Sequence, residues 1–180
     1  MKAIILPKEL IPSFQWLMLA AAADEQRPPL YNRFLIKKGK AYASDGSRLH
    51  RLKIKGFDLP SGLFRVIVNT SESFLFAADK KNEPPNFKKL IPKRSGMKSY
   101  RYRNDWHFLP CFISLKLQSV FSFKYIVDAT GGGEGIDVLG GDIYWSEPTK
   151  PIVIVPSSGI GSIQRLAVVA PALAVEDTHA

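Results

Sequence analysis

Apolar positions follow a helical period near the start of the chain and a period of two soon afterwards. Lys2 to Leu6 is a short β-branched and aliphatic run that stops at Pro7, so it predicts a strand. Leu10, Phe14, Leu17, Met18 and Ala21 then share one helix face, and the alanines up to Ala23 favour the same state. Pro12 is compatible with this helix only in or just before its first turn. Asp24 to Leu30, with two consecutive prolines, predicts a loop. Arg33 to Lys38 and Lys40 to Ala43 flank Gly39 as a hairpin, and Arg48 to Lys55 alternates in strand fashion. Leu63 to Asn69 and Ser73 to Ala78 predict another strand pair, before the Pro84-Pro85 break.

The second half repeats this order more loosely. Ser99 to Arg103 alternates as a strand, and Trp106 to Val120 predicts a helix despite Pro110. Strands are expected at Lys124 to Ala129, Ile136 to Leu139, Ile152 to Val155 and Leu166 to Val169. Two units of strand, helix and several strands result, about 1–92 and 93–173, with 174–180 as a short tail; the halves share a pattern but no residue-level identity. This order argues against a doubly wound parallel sheet, in which strands and helices alternate throughout. The expectation is a single α+β domain over 1–180, with helices packed on one sheet face.

Composition narrows the class. The 180 residues are 46% hydrophobic and 23% charged, which suits a folded domain and excludes a disordered tail. The longest apolar stretch, Leu17 to Ala23, is far shorter than the roughly 20 residues of a membrane-spanning helix. Pro7, Lys8 and Glu9 interrupt the start of the chain where a secretory signal would need its apolar run. A single cysteine, Cys111, offers neither an internal disulfide nor a thiolate cluster. These features point to the cytoplasm.

The net charge of +9 is unevenly placed. Residues 1–103 carry 21 Lys or Arg against 8 Asp or Glu, a net of +13, whereas 104–180 carry 4 against 8, a net of −4. The densest part runs from Lys80 to Arg103 and contains Lys88, Lys89, Lys93, Arg94, Lys98 and Arg101, with Phe87, Tyr100 and Tyr102 interleaved. Such a mixture suits phosphate neutralisation and base stacking at a nucleic-acid surface, and it equally suits a connector kept soluble by its lysines.

Three segments, in this order, resemble a known family. Ala43-Ser44-Asp45-Gly46-Ser47-Arg48-Leu49 resembles the signature turn and strand of the bacterial DNA polymerase III β sliding clamp family. Pro85-Asn86-Phe87-Lys88-Lys89-Leu90-Ile91-Pro92-Lys93 is similar to the segment that links the parts of a clamp. Lys150 to Ile154 followed by Leu166 to Leu173 resembles the closing hairpin. Independently of any family, Asp45-Gly46 is a tight-turn pair, because Asp bonds its own backbone and Gly accepts positive φ. Arg48 beside it is placed to pin the loop through a carboxylate or carbonyl, and Leu49 to face an apolar groove.

The resemblance implies a noncatalytic processivity factor, in which about six such domains form a ring with helices towards duplex DNA and sheets outside. A one-domain chain would reach that ring by assembling with copies of itself or with partners. The family's pocket for partner peptides, such as those of DNA polymerase, carries over to Gly46, Ser47, Arg48 and Leu49 with Val169, Ala170 and Pro171. The family usually has methionines around that last proline; here Ala170 and Ala172 imply a shallower pocket. The DNA-binding candidates are Lys8, Lys88, Lys89, Lys93, Arg94, Lys98, Arg101 and Arg103, most of them in predicted strands and connectors, while the second helix offers mainly Lys116. That departure keeps open an adaptor that has the clamp fold without forming a ring.

Other chemistry is poorly supported by spacing. Gly131 to Gly135 lacks the Gly-Lys-Ser or Gly-Lys-Thr of a phosphate loop, and Gly159-Ile160-Gly161 lacks the third glycine of a dinucleotide fingerprint. His50, His107 and His179 have no paired ligand spacing, so neither a metal nor a cofactor is expected. Cys111 and His107 are separated by Pro110 among aromatics, and Glu134, Asp137 and Asp142 lie in a glycine-rich turn region. No catalytic residue is assigned. Trp16, Trp106 and Trp145 read as core or interface aromatics.

Overall fold

The computed structural model describes residues 3–22, 32–83, 85–103, 108–131, 140–157 and 163–172. After β1 (Ile4–Ile5), a 3₁₀ turn at Lys8–Leu10 leads into α1 (Ile11–Met18), with Pro12 in the first helical turn where its missing N–H costs nothing. Five strands follow: β2 (Arg33–Lys37), β3 (Lys40–Ser44), β4 (Arg48–Ile54), β5 (Gly62–Asn69) and β6 (Phe74–Ala78). The second half runs β7 (Lys98–Tyr102), α2 (Leu109–Leu117), α3 (Phe123–Thr130), β8 (Gly141–Trp145), β9 (Ile152–Pro156) and β10 (Ile163–Val169).

All the described strands join one antiparallel sheet in the order β1-β6-β5-β2-β3-β4-β10-β9-β8-β7. The halves meet at the β4–β10 seam, where Arg48 to Ile54 pair with Val169 to Ile163. One buried cluster takes Leu10, Phe14 and Leu17 of the first helical segment, Leu109, Ile113 and Ile126 of α2 and α3, and Phe34, Leu52, Ile143, Ile154 and Ala167 of the sheet. A smaller cluster covers the opposite sheet face, with Leu35, Tyr42, Leu49, Val153, Leu166 and Val168 under Phe87 of the segment linking β6 to β7. Alternation along each strand therefore feeds two cores, which is why β2, β3, β4 and β10 have few exposed positions.

With ten strands and three α-helices among the described residues the fold is mostly β, which corrects the α+β class expected from sequence. The strand expected at Lys124 to Ala129 is instead helix α3. Its β-branched residues gave it strand character, but Ile126, Ala129 and Thr130 are buried at helical spacing, and Gly131 ends the helix in the left-handed region at φ 85°. Strand β8 was not anticipated, since Gly140-Gly141 read as a turn; Gly141 in fact begins the strand, between β7 and β9. The expected loop Asp24 to Leu30, strand Ile136 to Leu139 and tail 174–180 lie outside the described residues, as do Trp106, His107, Glu134, Asp137, His179 and most of the two glycine runs. Among the described residues no helix is long and apolar enough to cross a membrane.

Candidate partner-binding seam

The turn at Asp45-Gly46 and the end of β10 lie side by side. Val168 pairs with Leu49 and Val169 with Arg48, and beyond the strand the Ala170 N–H donates to the Ser47 carbonyl at 2.9 Å. The Ala172 N–H donates to the carbonyl of Val120, between α2 and α3, at 2.8 Å. Three segments distant in sequence thus converge here: the turn, the extension of β10 and the α2–α3 connection.

Local chemistry makes the turn rigid. Asp45 Oδ1 accepts the Ser47 and Arg48 N–H groups at 2.9 and 3.0 Å, and Gly46 takes φ 97°. Ser44 Oγ donates to the Arg48 carbonyl at 2.6 Å and accepts the Gly46 N–H at 3.0 Å. Arg48 is buried and its guanidinium has two carboxylate partners: Nε donates to Asp45 Oδ2 at 2.9 Å, and another nitrogen donates to Asp128 on α3. It also lies 4.2 Å above the Tyr125 ring. Lys124 reaches Asp128 at 3.1 Å from the solvent side. The arginine expected to pin the loop therefore also clasps it to a helix. Asp128, Tyr125 and Lys124 were missed because their segment read as a strand; their helical i, i+4 spacing was the available signal.

One layer away, His50 is fully buried and stacked on Trp16 at 4.2 Å between ring centroids. Its Nδ1 lies 2.8 Å from the Trp16 carbonyl, and since a carbonyl only accepts, that nitrogen carries the proton. Burial pushes His50 down to about 4, against the opposing pull of the Trp16 carbonyl. Arg165, also buried, approaches the Trp16 ring at 5.5 Å, and desolvation lowers its pKa.

The structure brings the seven sequence-picked pocket residues together as backbone but divides their side chains. Arg48 and Val169 point into the helix-side core, whereas Leu49 points into the opposite cluster; Leu49 is 2% exposed and Val169 0%. Gly46 and Ser47 are exposed, and Ala170 and Pro171 half-buried, so these four form the reachable surface.

The DNA candidates are not one patch. Lys8 precedes α1 in the helix layer. Lys88, Lys89, Lys93 and Arg94 are exposed along the segment anchored by Phe87, which crosses the opposite sheet face with Ile91 and Met97 packed beneath it. Arg94 lies 4.9 Å over Tyr144. Lys98 and Arg101 are on edge strand β7, with Arg101 paired to Asp142 at 2.9 Å, and Arg103 follows it. Cys111 is exposed, and among the described residues no group of three potential metal ligands occurs.

No protein-family model and no curated protein sequence matches this chain. Solved structures do match it in fold. The β subunit of DNA polymerase from Streptococcus pyogenes is 13% identical, with a TM-score of 0.61 over 96% of this chain and 66% of that one. The DNA polymerase III β chain of Streptococcus pneumoniae gives 12% identity and a TM-score of 0.62 over 96% and 65%. The Helicobacter pylori β clamp bound to a DNA ligase peptide gives 10% and 0.59 over 94% and 65%. The fold is that of the sliding clamp, and the match spans a little under two thirds of each of these chains.

Proposed function

We propose that this chain is a clamp-like, noncatalytic replication or repair accessory that takes partner peptides at the turn–β10 seam and associates with duplex DNA. The observation that carries this reading is the seam itself: on a sliding-clamp fold, the Asp-Gly turn and the extension of β10 meet at a 2.9 Å hydrogen bond and leave Gly46, Ser47, Ala170 and Pro171 reachable. The order of strands outward from the β4–β10 seam, β3 and β2 on one side and β9 and β8 on the other, supports a pseudo-repeat with its division near residue 92. Lys8, Lys88, Lys89, Lys93, Arg94, Lys98, Arg101 and Arg103 are the proposed DNA contacts, and copies of the chain the proposed route to a ring. Titration with a labelled DNA ligase peptide tests the seam. Wild type binds with measurable affinity, and Ser47→Tyr with Ala170→Glu weakens binding at least about tenfold, the equivalent of 1.4 kcal/mol. No binding at about millimolar peptide would overturn the reading.

A second reading, an adaptor that does not encircle DNA, is favoured by the helix layer. Phe108, Leu115, Val120 and Phe123 are 60 to 81% exposed there, an apolar surface unsuited to a DNA-lined hole. Light scattering across protein concentration separates the two. A discrete closed oligomer supports a ring, and a persistent monomer supports the adaptor.

A further inference from the structure

Resting on the duplex-DNA part of the reading above and not on a ring, whose hole the helices would line, we propose that the sheet face turned away from the helices holds the phosphate backbone of duplex DNA, through a lysine row centred on the β2–β3 hairpin. A cavity of about 570 Å³ opens on this face, and Lys37, Lys38, Lys40 and Lys88 line it together with Tyr42 and Phe87; among the described residues no acid lines it. Strand register places Lys37 directly opposite Lys40, and Lys40 directly opposite Lys53, so three lysines stand in a row across β2, β3 and β4. Like charges in directly opposed positions destabilise a sheet, and among the described residues none of these lysines has an ion-pair partner. At the other end of β2 the same face repeats the pattern with Arg33 opposite Arg65, and there Asp79 neutralises Arg33. A bound polyanion relieves the repulsion that the lysine row otherwise carries.

An independent feature lies in the hairpin turn. Lys38 has φ 52° and Gly39 φ 67°, so a lysine occupies the left-handed position where a two-residue turn favours asparagine. The turn thus carries a positive charge at a position where backbone preference alone would favour a neutral residue.

The chemistry selects the ligand. Tyr42 and Phe87 stack on each other at 5.9 Å and are 8% and 3% exposed, so the cavity offers no open ring face to an unpaired base, which disfavours single strands. The cations described in the cavity are all lysines, point charges suited to phosphate, without the arginine fork that would mark carboxylate recognition. The row spans roughly 10 Å across three strands, within which duplex DNA presents several phosphates.

The test is fluorescence anisotropy of a labelled linear duplex of about 20 base pairs, titrated between about 50 and 200 mM salt. Wild type binds, and Lys37→Gln with Lys40→Gln reduces the slope of log K against log salt by about 1.8, or 0.9 per lost contact. Lys38→Asn melts no lower than wild type yet binds less tightly, which separates binding from folding. Lys116→Gln, in the helix layer, leaves the slope unchanged. An unchanged slope in the double variant, or a larger loss in Lys116→Gln, would overturn the assignment of this face while leaving peptide binding at the seam intact. Tighter binding of a single strand than of duplex, or displacement of DNA by polyglutamate at matched charge, also overturns it. No duplex binding by wild type at low salt refutes this face and the DNA part of the accessory reading together, a result the ligase-peptide titration reports separately.

Discussion

Replacing Arg48 by Met tests the clasp at the seam most directly. The side chain is 7% exposed and lies between Asp45 and Asp128, whose side chains are 12% and 7% exposed. Met keeps most of the apolar volume but leaves two shielded carboxylates without their shared cation, and breaking a buried pair in this way costs about 3–5 kcal/mol. Two features soften the loss: Asp45 keeps the Ser47 N–H, and Asp128 keeps Lys124. The expected cost is therefore near the lower end, about 3 kcal/mol, or a fall in Tm of roughly 6–12 °C for a domain of this size. Urea denaturation monitored by tryptophan fluorescence measures it. Arg48→Met combined with Asp45→Asn and Asp128→Asn should recover most of the stability, because the uncompensated charges are then gone while the side-chain amide oxygen introduced in the turn still accepts its N–H groups. A single-variant loss below about 1 kcal/mol, or a triple variant no more stable than the single, would refute the clasp as the element that holds turn and helix together.

Two further expectations concern stability. His50 is pushed from 6.5 to about 4 by burial, so between those values the unfolded chain binds a proton that the folded chain does not, and stability falls as pH drops through that window. About 2 kcal/mol should be lost between pH 7.5 and 5 and the slope flattened in His50→Asn, whose amide still donates to the Trp16 carbonyl; equal slopes in the two proteins would contradict this. Gly141→Ala would place a Cβ 2.5 Å from the Val155 carbonyl and 2.7 Å from the Tyr102 hydroxyl, so a loss of about 2–3 kcal/mol is expected in denaturant unfolding, and a neutral result would show that β8 sits further from its neighbours.

Burial at the seam reshapes what a partner could touch. Leu49, which a motif-based reading would offer to a peptide, is consumed by Val153, Leu166 and Val168, and Val169 by the helix-side core. The exposed remainder is small side chains and backbone, at Gly46, Ser47, Ala170 and Pro171. A partner would gain from shape and main-chain contact there more than from deep apolar anchors.

Local pattern determined much of this protein. The β2–β3 hairpin at Gly39, strands β4 to β6, the helix with Pro12 in its first turn and the Asp45-Gly46 turn all follow from period, turn residues and backbone preference, which act over a few neighbouring residues. Sequence also singled out Arg48 as a pin, because a cation beside an Asx turn has a carboxylate within reach. Tertiary structure alone decided the rest. Lys124 to Ala129 carries β-branched residues that favour a strand, yet packing of Ile126 and Ala129 on the sheet and the ion pairing of Asp128 with Arg48 hold it as a helix. Arg48 and Asp128 are 80 positions apart, a separation no local period encodes. The lysine row is likewise invisible along the chain, since Lys37, Lys40 and Lys53 become neighbours only when strand register aligns them.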